Sequence, residues 1–588
     1  MLDPKYLERF SDQLLGIIDT LTIAIISDMA KRIVKMGNVS ESTKHQAEVL
    51  QNAGLVYKDT IKRVSQVSGY QNREVERMYQ EAGVRNLKNE AVYYKQAGKE
   101  AIVKLEQSNG MQRILQANVR KTCQELDNLT MTTAVKTQSA FIQACNKAQM
   151  KVSTGAFSYD KAIADAIKEA AVQGTEVLYP SQHVDKLDVA VRRAVLTGVN
   201  QTAAEMNLQY AKDQNCDYVE TTAHEGARPE HAVWQGKVFC LSGTDPKYEN
   251  FYEATGYGTG PGLCGWNCRH NFHAYFPGIS TQAYTQEMID NYSAKSVTYN
   301  DKQFTEYEAS QMQRGHERQI RETKRKLAGY NSAISEAKDD TLKNTLQNRF
   351  NEESVRLKKQ EAALKAFCKE TGRRYESARV QIYAVKNKAG DIVGFNRSVA
   401  QKAVWQDRKN TFKNQMSKQL EKLTNEEKKA ILRYTGNAAN RVNSAIYSGK
   451  QQRIDQEKGF MDLLDSALSK GTVEHKMVVH RDTIPEYLNA FPKGFQYSKE
   501  DIKRMNGMTL TNKGYTSTSF HDIMYQGRNV HLEIEIHKGY KGCLYIKDVA
   551  TEKYKNQEEV LFKRGFQYKI KSVNKEKDRY YIKAEAVL

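Results

Sequence analysis

The chain has 588 residues, and 89 Lys plus Arg against 70 Asp plus Glu leave a formal net charge of +19. That length excludes one undivided core: domains cluster at roughly 100–200 residues, so about three to five cooperative units are expected. With 40% hydrophobic residues, 27% charged residues and only 8 Pro, a disordered or collagen-like chain is excluded and a folded, mainly helical protein is predicted.

The first sixteen-residue apolar stretch, Leu14 to Met29, is interrupted by Asp19 and Asp28. It is too short and too charged to span a bilayer and reads as an amphipathic packing helix, so no membrane contact is expected. The opening MLDPKYLERF lacks the basic region of a secretory signal, and no export is expected. From Pro4 to about Asp185, apolar residues recur at helical spacing, as in Ile102 and Leu105, then Met111, Ile114 and Leu115. Gly54, Gly69, Gly83, Gly98 and Gly110 fall between the periodic runs and are expected to mark helix ends, giving several helices rather than one rod.

Composition shifts near Leu187, where a helix through Cys216 leads into a Gly-, His- and Cys-rich segment from Val219 to Gly278, expected as a separate small domain. From about Asp301 to Thr371 acids and bases at i to i+4 spacing predict an exposed, charged helical hairpin or spacer, broken near Asp339 or Asp340. After Tyr375, helices at 413–420, 425–434, 438–447 and 462–469 precede strands at 475–480, 531–537, 543–547, 560–563, 567–573 and 580–587. The expected fold class is therefore multidomain, mainly α through the N-terminal two-thirds and α+β at the C-terminus. Its expected divisions are a helical region 1–186, a core domain 187–298, a charged hairpin 299–375 and a C-terminal domain 376–588.

The 8 Cys are too sparse for a disulfide scaffold and predict a reduced protein. His224, His231, Cys264, Cys268, His270 and His273 form the one dense cluster of soft ligands. Their spacing, C-x3-C-x-H-x2-H, fits no usual zinc finger, and six candidates define no unique tetrahedral set. Buried packing of Cys and His among glycine turns is preferred over zinc, and the metal assignment stays open. The glycines from Gly256 to Gly265 lack the preceding strand and the Gly-Lys-Ser/Thr of a phosphate loop, so nucleotide binding there is not expected.

The stretches AHEGARPEHAVWQGK (223–237) and YGTGPGLCGWNCRH (257–270) resemble those of the type 2 phage minor capsid protein family, and the likeness extends over roughly residues 1–375. It implies a virion component at or near the portal vertex, with portal and capsid proteins as partners. The +19 charge leaves a contact with DNA as an alternative.

Farther on, Arg481, the run Ser517, Thr518, Ser519, and the pair Gln557 and Glu559 occur in that order. Residues two apart on a strand share a face, so Gln557 and Glu559 are expected in one pocket. Together with LTNEEKKAILRYTGNAANRVNSAI (423–446) and YQGR (525–528), this order resembles the arginine-serine-glutamate class of mono-ADP-ribosyltransferase toxins over residues 400–588. Asp482, where that family often has glycine, and the short loop 519–525 are departures. The resemblance implies two packed, antiparallel-rich sheets behind a helical lobe, and NAD as substrate, whose ADP-ribose passes to a host protein. Glu559 would stabilise the ribosyl cation, with Arg481 and Arg528 on the pyrophosphate and Ser517, Thr518 and Ser519 beside the nicotinamide ribose. Tyr525 would stack on the nicotinamide ring and Gln557 would face the acceptor, favouring Asn or Gln over Arg. His480, His521, His531 and His537 are expected to be surface or half-buried strand residues, with no Asp or Cys spacing that suggests a triad or metal site. The implied location is the phage head, with delivery to, or synthesis in, the bacterial cytoplasm. A purely structural protein with an inactive transferase-like module is the competing reading.

Overall fold

The computed structural model describes all residues except 37–41, 156, 244, 383–384, 387–391, 485–503, 521–527, 577–578 and 588. It divides into two compact units, Met1–Ala403 and Val404–Leu588.

The first unit is built on long helices: α1 (Asp12–Lys35), α2 (Ser42–Gln96), α3 (Asn109–Ser153), α4 (Tyr159–Gln173), α5 (Leu187–Asp213), α6 (Glu306–Glu336) and α7 (Asp340–Glu370). The apolar face of α1 (Leu14, Ile18, Leu21, Ile25, Ile26 and Met29) enters one hydrophobic core that draws on residues from Leu2 to Ala400. Among the described residues, no helix is long and apolar enough to cross a membrane. Gly54, Gly69 and Gly83 do not end helices, because α2 runs through all three for 55 residues. Glycine weakens a helix by about 1 kcal/mol relative to Ala, and tertiary packing overrides that: a side-chain carbon at Gly83 would touch Leu115 at 3.4 Å. Gly98, at φ +70°, does follow the helix end.

The break between α6 and α7 falls where the sequence placed it, with Asp339 capping α7 by accepting the Leu342 N–H at 2.8 Å. The hairpin is not an exposed spacer, however. Arg321, Lys324, Arg325 and Lys326 of α6 are buried, because α6 packs on α1 and α4 and its arginines meet the buried carboxylates of Asp19 on α1 and Asp188 on α5. Arg321 pairs with Asp19 and, at 2.8 Å, with Asp188; Arg325 also pairs with Asp188. Burial works against the ionised Asp188 carboxylate, but Arg325 and Arg321 hold it down to about 2.

The Gly/His/Cys segment forms a three-stranded antiparallel sheet in the order β2-β1-β3, from β1 (Tyr218–Thr221), β2 (Val238–Cys240) and β3 (Phe272–Ala274). It has its own apolar cluster, including Trp234, Phe239, Phe251, Leu263 and Phe272. It is nonetheless part of the first compact unit: Asn200 and Asn207 of α5 donate to the carbonyls of His270 and Phe272, both at 2.8 Å. Glu90 of α2 accepts the Ala274 N–H at 2.7 Å. The glycines make close turns: a carbon added at Gly262 would lie 2.0 Å from the Gly256 carbonyl oxygen.

The second unit carries the later part of α8 (Arg397–Gln419), then α9 (Asn425–Arg433), a π-helical turn (Tyr434–Ala438), α10 (Ala439–Ser448) and α11 (Lys458–Ser469). Its strands are β4 (Met477–Thr483), β5 (Thr509–Asn512), β6 (Thr516–Ser519), β7 (Val530–Ile536), β8 (Cys543–Tyr545), β9 (Glu559–Phe562), β10 (Phe566–Glu576) and β11 (Arg579–Ala586). They pair in the order β5-β10-β11-β7-β4-β6-β9-β8, with β7 and β11 parallel and every other pair antiparallel. Among the described residues only His480 opposite Ser519 joins β4 to β6, a narrow junction that divides the eight-stranded ladder into five strands on one side and three on the other. Cys543, Tyr545, Val560 and Phe562 of the smaller sheet share a core with Val479, Leu532 and Ile534 of the larger. The alternate residues Leu544 and Leu561 pack on the helices, against Tyr434, Val442 and Leu464. Two antiparallel-rich sheets packed behind a helical lobe are the result. Strand β5 carries no periodic signal in the sequence, because TLTN is short, polar and at a sheet edge.

Candidate functional site

The three residues that define the C-terminal constellation lie on adjacent strands: Arg481 on β4, Ser517 on β6 and Glu559 at the start of β9. Antiparallel register puts Ser519 opposite Glu559 and Ser517 opposite Leu561, on the face turned toward the helices. The structure brings all three groups together. The Arg481 guanidinium donates to the Ser517 carbonyl at 3.0 Å. Glu559 is only 8% exposed, and burial pushes its carboxyl above the ordinary value, opposed by a hydrogen bond from the Ser517 hydroxyl and by the charge of Arg481.

A fourth member was not singled out from the sequence. Tyr434, in the π-helical turn, shares a hydrogen bond with the Ser517 hydroxyl and lies close enough to Glu559 and Arg481 to feel both charges; burial pushes its phenol up to about 12. Asn443 fixes it from α10, donating to the Tyr434 oxygen at 3.1 Å while its own carbonyl accepts the Tyr515 N–H at 2.9 Å. The available sequence signal was YTGN following a helix with a complete capping box at Thr424 and Glu427. π-Turns inside α-helices often accompany functional sites.

The remaining predicted residues are placed differently. Thr518 donates its hydroxyl to the Val560 carbonyl at 2.8 Å, and Ser519 to the Gln557 carbonyl at 2.6 Å, so both tie β6 to the segment that bears Glu559. Gln557 does not share an extended strand with Glu559: it ends a 3-10 helix (Glu552–Gln557), and Glu558 between them has φ +47°. That left-handed residue turns its side chain to Lys413, Lys409 and Lys547. Arg528 donates to the Asp482 carbonyl at 2.7 Å, beside Arg481. Tyr525 and His521 lie outside the described residues. His531, expected as a surface or half-buried strand residue, is instead buried and paired with Asp482 at 2.7 Å across β4 and β7. The two lie 49 positions apart, and only strand pairing joins them.

The N-terminal cluster divides. His231, Cys268 and His270 converge, each buried, with potential ligand atoms all within 4.8 Å of one another. His224 stacks its ring on His270 with centroids 4.2 Å apart, and Cys264 donates its thiol to the His270 carbonyl at 3.4 Å. His273 is elsewhere, stacked on Tyr93 at 3.9 Å and 3.8 Å from Glu220.

Comparison with known proteins follows the same division. Residues 409–588 match the family model for ADP-ribosyltransferase exoenzyme, and residues 2–369 match that for phage minor capsid protein 2. A structural protein of Lactococcus phage LL-H is 28% identical over 228 residues, 36% of this chain and 58% of that protein, so the chain spans less than two thirds of this relative. The epidermal cell differentiation inhibitor of Staphylococcus aureus is 25% identical over 237 residues, 36% of this chain and 94% of that protein. The solved structure of Plx2a, an ADP-ribosyltransferase toxin from Paenibacillus larvae, is 26% identical and covers 31% of this chain and 96% of its own, with a TM-score of 0.27. Since the minor capsid match takes in more than half of the sequence, the chain belongs to the phage minor capsid protein 2 family and carries an ADP-ribosyltransferase exoenzyme module at its C-terminal end.

Proposed function

We propose that the protein is a phage head component whose C-terminal unit cleaves NAD and transfers ADP-ribose to a side chain of a host protein. The observation that carries this reading is the buried Glu559 carboxylate, hydrogen-bonded by Ser517 beside the Arg481 guanidinium. In the proposed reaction the bond between ribose C1′ and the nicotinamide nitrogen breaks, and nicotinamide leaves with the electron pair. The acceptor heteroatom bonds to C1′ and gives up its proton. Ionised Glu559 accepts a hydrogen bond from the ribose 2′-hydroxyl and stabilises the cationic character at C1′, as carboxylates do in glycoside chemistry.

Arg481 has the fork geometry to bind a pyrophosphate oxygen pair, with Arg528, which donates to the neighbouring Asp482 carbonyl, to extend that positive surface. Gln557, at the entry to β9, is the residue we assign to acceptor recognition, which favours an Asn or Gln target. Without an acceptor, water takes the ribosyl group and the enzyme acts as an NAD glycohydrolase. The family of the N-terminal unit supports portal and capsid proteins as partners and the virion as the location, from which the transferase reaches the bacterial cytoplasm.

The test is incubation of the full-length protein with labelled NAD and host lysate. Wild type is expected to label a host protein, and Glu559→Gln to lower the rate about 10²- to 10³-fold. Equal labelling by both overturns the assignment.

A further inference from the structure

In the first unit, two imidazoles and one thiol are arranged in a way that packing alone leaves incomplete. His231 directs Nε2 at the Pro261 carbonyl oxygen, 2.8 Å away. His270 directs Nε2 at Oε1 of Gln235, 3.2 Å away. Both partners are acceptors, so each ring carries its hydrogen on Nε2 and presents a lone pair at Nδ1. Those two Nδ1 atoms face the same sulfur, Cys268 Sγ, at 3.6 and 3.7 Å. One thiol has one weakly donating hydrogen and cannot satisfy two lone pairs.

A tetrahedral zinc ion resolves this. Zn–S of about 2.3 Å and Zn–N of about 2.0–2.1 Å at the tetrahedral angle place sulfur about 3.6 Å from each nitrogen, the separation the side chains already have. The acceptors on both Nε2 atoms are the outer partners that metal-bound histidines need to fix ring orientation and tautomer. Backbone support is also in place, because Asn200 of α5 donates to the carbonyls of Cys268 and His270 at 3.1 and 2.8 Å. All three side chains are at most 3% exposed.

We propose that His231 Nδ1, Cys268 Sγ and His270 Nδ1 bind one zinc ion, leaving a fourth position for water. Binding replaces the thiol hydrogen, which leaves as a proton, and the metal joins the short helix Pro229–Ala232 to the segment entering β3. Cys264, His224 and His273 stand outside the ligand set. The proposal selects three of the six residues that spacing alone could not rank, and it is independent of the transferase reading.

The experiment uses the full-length protein, stripped with a chelator and reloaded with Zn²⁺ or Co²⁺ alone. The expected result is one ion per chain, a sulfur-to-cobalt charge-transfer band, and a zinc X-ray absorption shell with a single sulfur. The band is expected to vanish in Cys268→Ser and persist in Cys264→Ser. Gln235→Leu, which removes only the acceptor for His270, is expected to weaken zinc binding by about 10- to 100-fold. The proposal is overturned if the wild type binds no stoichiometric ion, if the shell holds two sulfurs or none, or if Cys268→Ser keeps the band. The absorption shell of the wild type decides the matter even where a variant fails to fold.

Discussion

Ser517→Ala tests the proposed active site at its most constrained point. The substitution removes one oxygen and leaves the backbone carbonyl that accepts from Arg481. What is lost is the hydroxyl that donates to the Glu559 carboxylate. A hydrogen bond to a charged group contributes about 1.5–3 kcal/mol, and 1.4 kcal/mol is tenfold, so at fixed pH the rate should fall by about 10- to 100-fold. The pH profile carries the sharper information. Burial already pushes Glu559 up, and Ser517 opposes that push. Without the hydroxyl the carboxyl is harder to ionise, so the acid limb of kcat/KM for NAD must move to higher pH and activity must partly recover on the alkaline side. The assay is nicotinamide release by the full-length protein across pH, with circular dichroism to establish folding. A uniform loss with the acid limb unmoved would refute the reasoning, because it would mean that Ser517 does not act through the ionisation of Glu559.

Tyr434→Phe keeps the ring packed and deletes a neutral hydrogen bond, so a loss of about 3- to 10-fold in the same assay is expected, with no shift in unfolding temperature beyond a few degrees. Glu559→Gln should lower activity about 10²- to 10³-fold and yet stabilise the second unit at neutral pH by on the order of 1 kcal/mol. A carboxyl raised in the folded state contributes stability that is full below its unfolded value and is lost as pH rises, so the gain must shrink in acid; thermal unfolding at two pH values checks it. In the first unit, Arg321→Met leaves Asp19 and Asp188 without a shared partner, and denaturant unfolding should show a loss of about 3–5 kcal/mol. The stability that Asp188 contributes is full above the ordinary carboxylate value of about 4 and should fall away as pH drops toward about 2. An unfolding curve flat through that window would contradict the pairing.

Periodicity revealed most of the helices, since α1, α3 and α5 bury apolar stripes that recur at helical spacing. It failed where tertiary contact overrules local preference, as at Gly54, Gly69 and Gly83, which α2 absorbs. It failed again on α6, whose charges looked solvent-facing because Asp19 and Asp188 are more than 130 residues away in sequence. In the second unit, Arg481, Ser517 and Glu559 were legible as an ordered set of residue types. Tyr434 and Asn443 were not, because their roles arise from a π-turn and from long-range packing on Tyr515. Gln557 was misplaced for a local reason: the single left-handed residue Glu558 breaks the period of two.

Burial alone does not distinguish a working carboxylate from a structural one, and the two units supply the contrast. Asp188 and Glu559 are similarly buried, at 6% and 8% exposure. Asp188 meets two guanidinium groups, which hold it ionised down to about 2, so its charge is compensated by its own fixed partners. Glu559 has one hydroxyl and a nearby arginine, too little to offset its desolvation, and its carboxyl is raised. An ionised Glu559 is therefore held at a cost that a cationic partner entering the cleft would relieve, and a developing positive charge on a ribose is such a partner. In the proposed reaction, the under-compensation that weakens the folded state is the same quantity that would favour a cationic transition state, so Glu559→Gln is expected to gain stability and lose activity together.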